Sequence, residues 1–297
     1  MRTVVAVVVT YHPDRFALDA LLDALLDQVE RVVIVDNGSD EPVVSWNAAN
    51  PRVEFLLQEQ NLGLARAQNL GIARAKALGA VYVLLSDQDS LPAPDMVFHL
   101  LAAAEVAQGK GAKLAAVGPR YLDPRQSNPP PFLRRHGWRI VRQPCRRSAE
   151  VVEVDYLIAS GCLIPTDALI ALGGMAEELF IDYVDIEWGL RARHAGYQLL
   201  GACAAGMQHA LGEQPVRLFG KSIPVHSPLR HYYHFRNAVW LYRQPWLDVR
   251  WKFADGWRLL RKFVFYSLFT FPRLGHLRMM SLGVWHGLVG CMGQLDP

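Results

Sequence analysis

The sequence predicts an α/β protein on a mostly parallel, doubly wound sheet, and three observations carry that prediction. Residues 3–10 (TVVAVVVT) form an unbroken, mostly β-branched run, the texture of a strand buried on both faces. An apolar stripe at helical spacing follows, on Leu18, Leu21, Leu22, Leu25, Leu26 and Val29. Strand-like runs then recur at residues 31–35, 53–57 and 81–85, with an alanine-rich helix at 64–78 before the last. Parallel neighbours need such crossovers, so the alternation reads as βαβ units.

The first helix starts near Asp14. After the third run come a helix near 94–107 and a strand at 114–117. Residues 120–147 are rich in proline and arginine without a clear period, which predicts a long surface excursion. A strand at 151–158, a short helix at 166–172 and a helix at 185–195, ended by Gly196, complete the pattern. No internal repeat is present. The texture divides the chain into residues 1–215 and an aromatic, basic, mainly helical region at 216–297.

Composition narrows the function. With 297 residues, 51% hydrophobic and 20% charged, the chain can bury a large core, which excludes disorder. A net charge of +3, with no zinc-finger spacing and no basic helix, argues against nucleic acid. Cys145, Cys162, Cys203 and Cys291 lie far apart without a CxxC pair, so reduced thiols and a reducing, cytoplasmic compartment are expected. The apolar run at the N-terminus ends at Tyr11-His12-Pro13 rather than at a small-residue cleavage site, so it reads as a strand.

In doubly wound sheets ligands bind beyond the carboxyl ends of the strands. The first strand ends in Thr10-Tyr11 and the second in Asp36-Asn37-Gly38-Ser39, where a carboxylate can accept hydrogen bonds from a base or ribose, or simply form a turn. The strand at 81–85 runs into Ser86-Asp87-Gln88-Asp89-Ser90. Two acids one residue apart can share an oxygen-seeking cation, which a diphosphate leaving group requires. The bland alternative is that Asp87 caps a turn and Asp89 or Ser90 caps the next helix. Residues 180–188 (FIDYVDIEW) put three acids around a helix start, where Asp185 could act as general base or merely favour the helix dipole.

The ordered set VVVTYHPD, VDNGSD, NLGLARAQNLGIARA, LLSDQDS, SGCLIP, LGGMAEELFIDYVDIEWGLRARHAGY and a later His resembles the family-two inverting glycosyltransferases of the A-type (GT-A) fold. The DQDS and DYVDIEW variants resemble the rhamnosyltransferase branch, and the resemblance spans roughly Val4 to His209. It implies that Asp36 binds the pyrimidine base, with Thr10 and Tyr11 in the same pocket. Asp87 would meet the ribose or the metal's water shell, and Asp89 would ligate Mg²⁺ or Mn²⁺ on the diphosphate. Asn61, Gly63 and Asn69 would pack close to the nucleotide, and Gly161 would face the donor sugar. Asp185 would be the base of a direct, inverting displacement. Trp188 and Glu187 would lie on the acceptor side, and His209 would complete the metal site or touch a phosphate. Many relatives carry Glu-Asp where this chain has Val184-Asp185, which leaves Asp182 or Glu187 as substitutes.

Beyond His209, the resemblance implies that Arg230, His231 and Tyr232 border the acceptor or the diphosphate. Trp240, Trp246, Trp251 and Trp257 interleave with Lys252, Arg258, Arg261 and Lys262. The apolar run at 263–271 is too short to span a bilayer, which needs about 20 residues. The pattern fits a helix lying in the headgroup region, or packing on the catalytic region or on a second copy of the chain. The leading expectation is rhamnosyl transfer from dTDP-rhamnose to a lipid-linked saccharide of a bacterial surface polysaccharide, at the cytoplasmic face of the membrane. A nucleotidyltransferase and a non-catalytic nucleotide-sugar binder are the alternatives.

Overall fold

A computed structural model describes residues 2–41, 43, 50–122, 132–209, 216–218, 221–223 and 226–295. The βαβ half follows the hydrophobic periods closely. It comprises β1 (Val4–Thr10), α1 (Arg15–Leu26), β2 (Arg31–Asp36), β3 (Val53–Leu57), α2 (Leu64–Ala77) and β4 (Tyr82–Asp87). Asp14 caps α1, its carboxylate accepting from the Ala17 N–H at 2.9 Å. Next come β5 (Ser90–Pro92), α3 (Met96–Gly109), β6 (Leu114–Leu122), β7 (Phe132–His136), β8 (Arg139–Gln143), β9 (Val151–Val154) and β10 (Cys162–Pro165). Then α4 (Thr166–Leu172), α5 (Val184–His194), β11 (Gln198–His209), β12 (Val216–Leu218) and β13 (Lys221–Ile223) lead to α6 (Pro228–Tyr242), α7 (Val249–Phe269) and α8 (Arg273–Val289).

The main sheet has nine strands, eight of them in the order β3-β2-β1-β4-β10-β6-β11-β5, with β9 also on β11. Strands β3, β2, β1 and β4 are parallel; β10 runs against both β4 and β6, while β11 returns parallel to β6. Thr10 pairs with Asp36 and Val9 with Asp87, so β1, β2 and β4 end level and release their loops side by side. Alternate residues of β1 feed two cores. Val4, Ala6 and Val8 meet α1 and α3, whereas Val5 and Val7 meet α2.

Three expectations are corrected. The stretch 120–147 is not all irregular: β6 runs on to Leu122, and β7 pairs with β8 as a hairpin. The strand expected at 151–158 stops at Val154, before the loop that approaches the site. The cysteines are not all thiols, because Cys145 and Cys203 form a disulfide with Cα atoms 5.6 Å apart, 58 residues apart in sequence. Cys162 and Cys291 remain free, and the cysteine pattern no longer argues for a reducing compartment.

The C-terminal helices are not an appendage. Tyr183 and Leu190 share a core with Phe235, Leu241, Trp251, Leu259 and Met280. Among the described residues no helix is long and apolar enough to cross a membrane.

Candidate active site

The level strand ends open onto a cleft of about 760 Å³. Thr10, Tyr11, Asn37, Asn61, Gly63, Asp87, Gln88, Asp89 and Asp185 stand on its walls. At the end of β2, Asp36 is only 3% exposed and lies behind the wall. One of its oxygens accepts from the Thr10 and Ser39 hydroxyls at 2.8 and 2.6 Å, the other from the Ser39 N–H at 3.1 Å. Its neighbour Asn37 takes the wall position. The Asn37 carbonyl accepts from the Leu62 N–H at 2.9 Å, and its amide donates to Asn61 Oδ1 at 3.0 Å. Gly63 has φ +87°, and a Cβ there would sit 2.5 Å from the Phe180 ring, so only glycine permits this approach to the 180–183 loop.

The segment that carries Asp87, the last residue of β4, and Asp89 is tied to its surroundings. Gln88 between them clasps the β1 loop, accepting from the Tyr11 N–H at 2.7 Å and donating to the Tyr11 carbonyl at 3.2 Å. The Asp87 N–H donates to Ser160 Oγ at 2.9 Å, and Tyr121 donates to the Ser160 carbonyl at 2.7 Å. Helix α3 begins only at Met96, after β5, so Asp89 and Ser90 do not cap it.

Asp185 opens α5 across the cleft. The approach to it is strained, with positive φ at Phe180 (62°), Asp182 (63°) and Tyr183 (63°), a region that side-chain-bearing residues rarely enter. Helix α6 holds the loop: Asn237 Nδ2 lies 2.9, 2.7 and 2.8 Å from the carbonyls of Leu179, Ile181 and Asp182. Tyr183 donates to Asp255 on α7 at 2.8 Å, and Arg230 pairs with Asp182 at 3.1 Å. Burial pushes the Asp185 carboxyl up to about 7, and the negative charges of Asp87 and Asp182 push the same way, against the Ile186 N–H that it accepts.

Several expected residues lie elsewhere. Asn69 is not on the cleft wall; its amide exchanges bonds with the Met175 backbone at 2.8 and 2.9 Å and reaches Glu177. Trp188 and Glu187, expected on the acceptor side, are both 3% exposed and do not line the cleft, although Trp188 shares a small buried pocket with Asp185. The Trp188 indole donates to the Gly173 carbonyl at 3.0 Å, and Glu187 grips Arg191, which donates to the carbonyls of Leu172 and Gly174. Gly161, φ +71°, is wedged against Pro119 and Met207 behind the wall, where Ile158 and Ala159 face the cleft instead. The His209 backbone pairs with Ser90, but its side chain lies outside the described residues. Of Arg230, His231 and Tyr232, only Arg230 lines the cleft. His231 bonds His276 at 2.9 Å, and Tyr232 bonds His286 at 2.7 Å.

Sequence reasoning missed Asn37, Gln68, Gln88, Tyr156, His226, His234 and Lys262 as cleft residues. Asn37 and Gln88 adjoin the acids singled out at the strand ends, so the same logic extended by one residue would have reached them. Gln68 is buried and its Oε1 has no hydrogen-bond partner, a feature invisible in sequence. For a divalent cation, Asp87 and Asp89 supply hard carboxylate oxygens suited to Mg²⁺ or Mn²⁺. Asp182 and Asp185 line the same cleft, so its wall is rich in carboxylate oxygens. Among the described residues no three acidic, His or Cys side chains converge as a complete cage. The residues therefore fit a cation that shares its shell with a ligand's oxygens.

Comparison with known proteins agrees with this geometry. The family model of glycosyl transferase family 2 matches residues 6–158. A dTDP-rhamnosyl transferase, RfbF, of Shigella flexneri is 34% identical over 245 residues, covering 80% of this chain and 79% of the relative. Among solved structures, S. aureus TarS 1-349 in complex with UDP-GlcNAc superposes with a TM-score of 0.59 at 16% identity, over 96% of this chain and 80% of that one. GalNAc-T7 with UDP, GalNAc and Mn²⁺ gives 0.59 at 15% identity, over 91% of this chain but only 58% of that longer one. The structural likenesses show the fold, the A-type glycosyltransferase architecture that the sequence pattern implies. The chain belongs to glycosyl transferase family 2.

Proposed function

We propose that the protein transfers L-rhamnose from dTDP-rhamnose to a saccharide hydroxyl, with inversion at the anomeric carbon. The donor assignment rests on the likeness to the Shigella relative. The observation that carries the reaction is that Asp87, Asp89 and Asp185 line one cleft, close enough for the Asp87 charge to act on Asp185. Thr10, Tyr11 and Asn37 form the nucleoside end, with Asp36 bracing Thr10 and the Ser39 turn from behind. Asn61 and Gly63 shape the wall above it.

Asp87 and Asp89 would hold Mg²⁺ or Mn²⁺, which neutralises charge on the departing diphosphate. Asp185 takes the proton from the acceptor hydroxyl as that oxygen attacks the anomeric carbon, and its raised pKa suits a base working near neutrality. One displacement inverts the centre, so no nucleophilic side chain is needed. The acceptor's lipid linkage and a peripheral position on an anionic membrane belong to the same reading. They are supported by the exposed apolar residues of α7 and α8, interleaved with Arg and Lys.

The test is a thermal-shift panel of nucleotides and nucleotide sugars with and without divalent cation, followed by product analysis. A rise selective for dTDP compounds and dependent on cation is expected, together with a product whose anomeric configuration is opposite to that of the donor; a product that keeps the donor's configuration would overturn the single displacement. Asp89→Ala should abolish the cation-dependent part. Turnover unchanged in Asp89→Ala would remove the cation assignment, and donor binding without any product would leave a nucleotide-sugar binder.

A further inference from the structure

A second cavity, of about 780 Å³, adjoins the catalytic cleft, and the two share His226, His234 and Lys262 on their walls. Beyond these three it is walled largely by apolar side chains of α7, including Leu260, Val264, Phe265 and Phe269. Arg258 and Arg261 are its other cations, and no carboxylate stands among its described lining residues. It is therefore an apolar groove whose junction with the cleft is basic.

Lys262 at that junction makes no ion pair among the described residues, and the charges of Asp255 and Asp182 reach it only from a distance. Its Nζ lies 2.9 Å from His234 Nε2, and among the described residues no carboxylate comes within ion-pairing distance. Burial pushes the Lys262 ammonium below its usual range, and burial likewise pushes His234 down, so the imidazole is neutral and accepts from the lysine. An ammonium in such surroundings is completed by an anion. The junction lies toward the base, since the Asp182 charge acts both on Lys262 and on Asp185.

We propose that this groove takes the apolar chain of a phosphate-linked saccharide acceptor, with the linking phosphate on Lys262 and the saccharide reaching Asp185. The assignment rests on the transferase reading and adds the place of the chain and of its anionic link. Continuity of groove and cleft lets one molecule occupy both, and the absence of acids along the groove favours an anionic occupant.

The experiment compares three acceptors bearing one saccharide: a methyl glycoside, an alkyl glycoside below its micelle-forming concentration, and the same alkyl chain joined through phosphate. The wild-type KM should fall from the first to the second, by up to about fourfold per methylene buried, and fall again for the third. Leu260→Asp and Phe269→Asp, at half-exposed groove positions, should remove the first gain, and Lys262→Met the second. Equal KM for all three acceptors, with transfer proceeding, overturns the groove and leaves the transferase standing. A Lys262→Met protein whose defect lies in donor affinity instead overturns the phosphate assignment. Failure to transfer to any acceptor, with donor left intact, overturns the transferase reading and the groove with it.

Discussion

Asp185 sits where ionisation is costly, yet the proposed chemistry needs the ionised form. Its carboxyl is pushed up to about 7, first by burial and then by Asp87 and Asp182. Below that pH the base is protonated, so kcat/KM for the donor, which reports the free enzyme, should rise about tenfold per unit and level off above about 7. Asp182→Asn removes one of the like charges, so the inflection should move to lower pH; an unmoved inflection would show that Asp185 is not the titrating base. Asp185→Asn should retain donor affinity by calorimetry while kcat falls by about 10²–10⁴-fold. The same shift sets stability. A carboxyl whose folded pKa is raised loses stability as pH climbs from its unfolded value to about 7, and the loss persists above. The Asn variant avoids that loss, so its Tm should exceed wild type by several degrees at pH 8 and match it near pH 4.

At the scale of elements, the approach to α5 is kept strained by helices far along the chain. Three residues with positive φ precede or open the helix, and a single Asn237 amide reaches three of the loop's carbonyls. Asn237→Ala should cost about 1–3 kcal/mol in denaturant unfolding, because buried carbonyls lose their donor. It should lower kcat with little change in donor affinity, and an unaffected kcat would detach the loop from catalysis. This coupling also explains what the sequence could and could not reveal. The strands and helices of the first half are periodic, so β1, α1, β2, β3, α2 and β4 were legible, and with them the strand-end acids Asp36, Asp87 and Asp89. The left-handed turn at Asp182-Tyr183 carries no glycine to announce it, and the Asn237 brace depends on chain separations of more than 50 residues. Glu187 and Trp188 resembled site residues because they adjoin Asp185, but both are buried and engaged elsewhere, Glu187 with Arg191 and Trp188 with the Gly173 carbonyl, so neither reaches the cleft wall. The Cys145–Cys203 bridge escaped notice because spacing along the chain does not report neighbours across a sheet.

At the scale of the whole molecule, the face opposite the cleft-bracing side of α7 and α8 is the unusual surface. Phe271 is 90% exposed, Leu274 80% and Trp285 60%, joined by Phe253, Trp257 and Leu268. Between Val249 and Val289 the chain carries seven Lys or Arg (250, 252, 258, 261, 262, 273, 278) against one acid, Asp255. Asp255 is buried, where it accepts from Tyr183 and Tyr242, and Arg258 and Lys262 turn inward to the groove, so the surface presents the remaining cations beside apolar groups. Each cation near an anionic leaflet adds about 1 kcal/mol, and the aromatics add apolar burial in the headgroup region. The protein should therefore co-sediment with phosphatidylglycerol vesicles, bind phosphatidylcholine vesicles weakly, and come off the anionic ones as salt rises. Phe271→Ser with Leu274→Ser should weaken capture at low salt as well, since it removes apolar area and leaves charge unchanged. Binding that ignores both salt and this double substitution would place the membrane contact elsewhere. A concentration-dependent dimer, dispersed by the same substitutions and indifferent to vesicles, would assign the surface to a second copy of the chain.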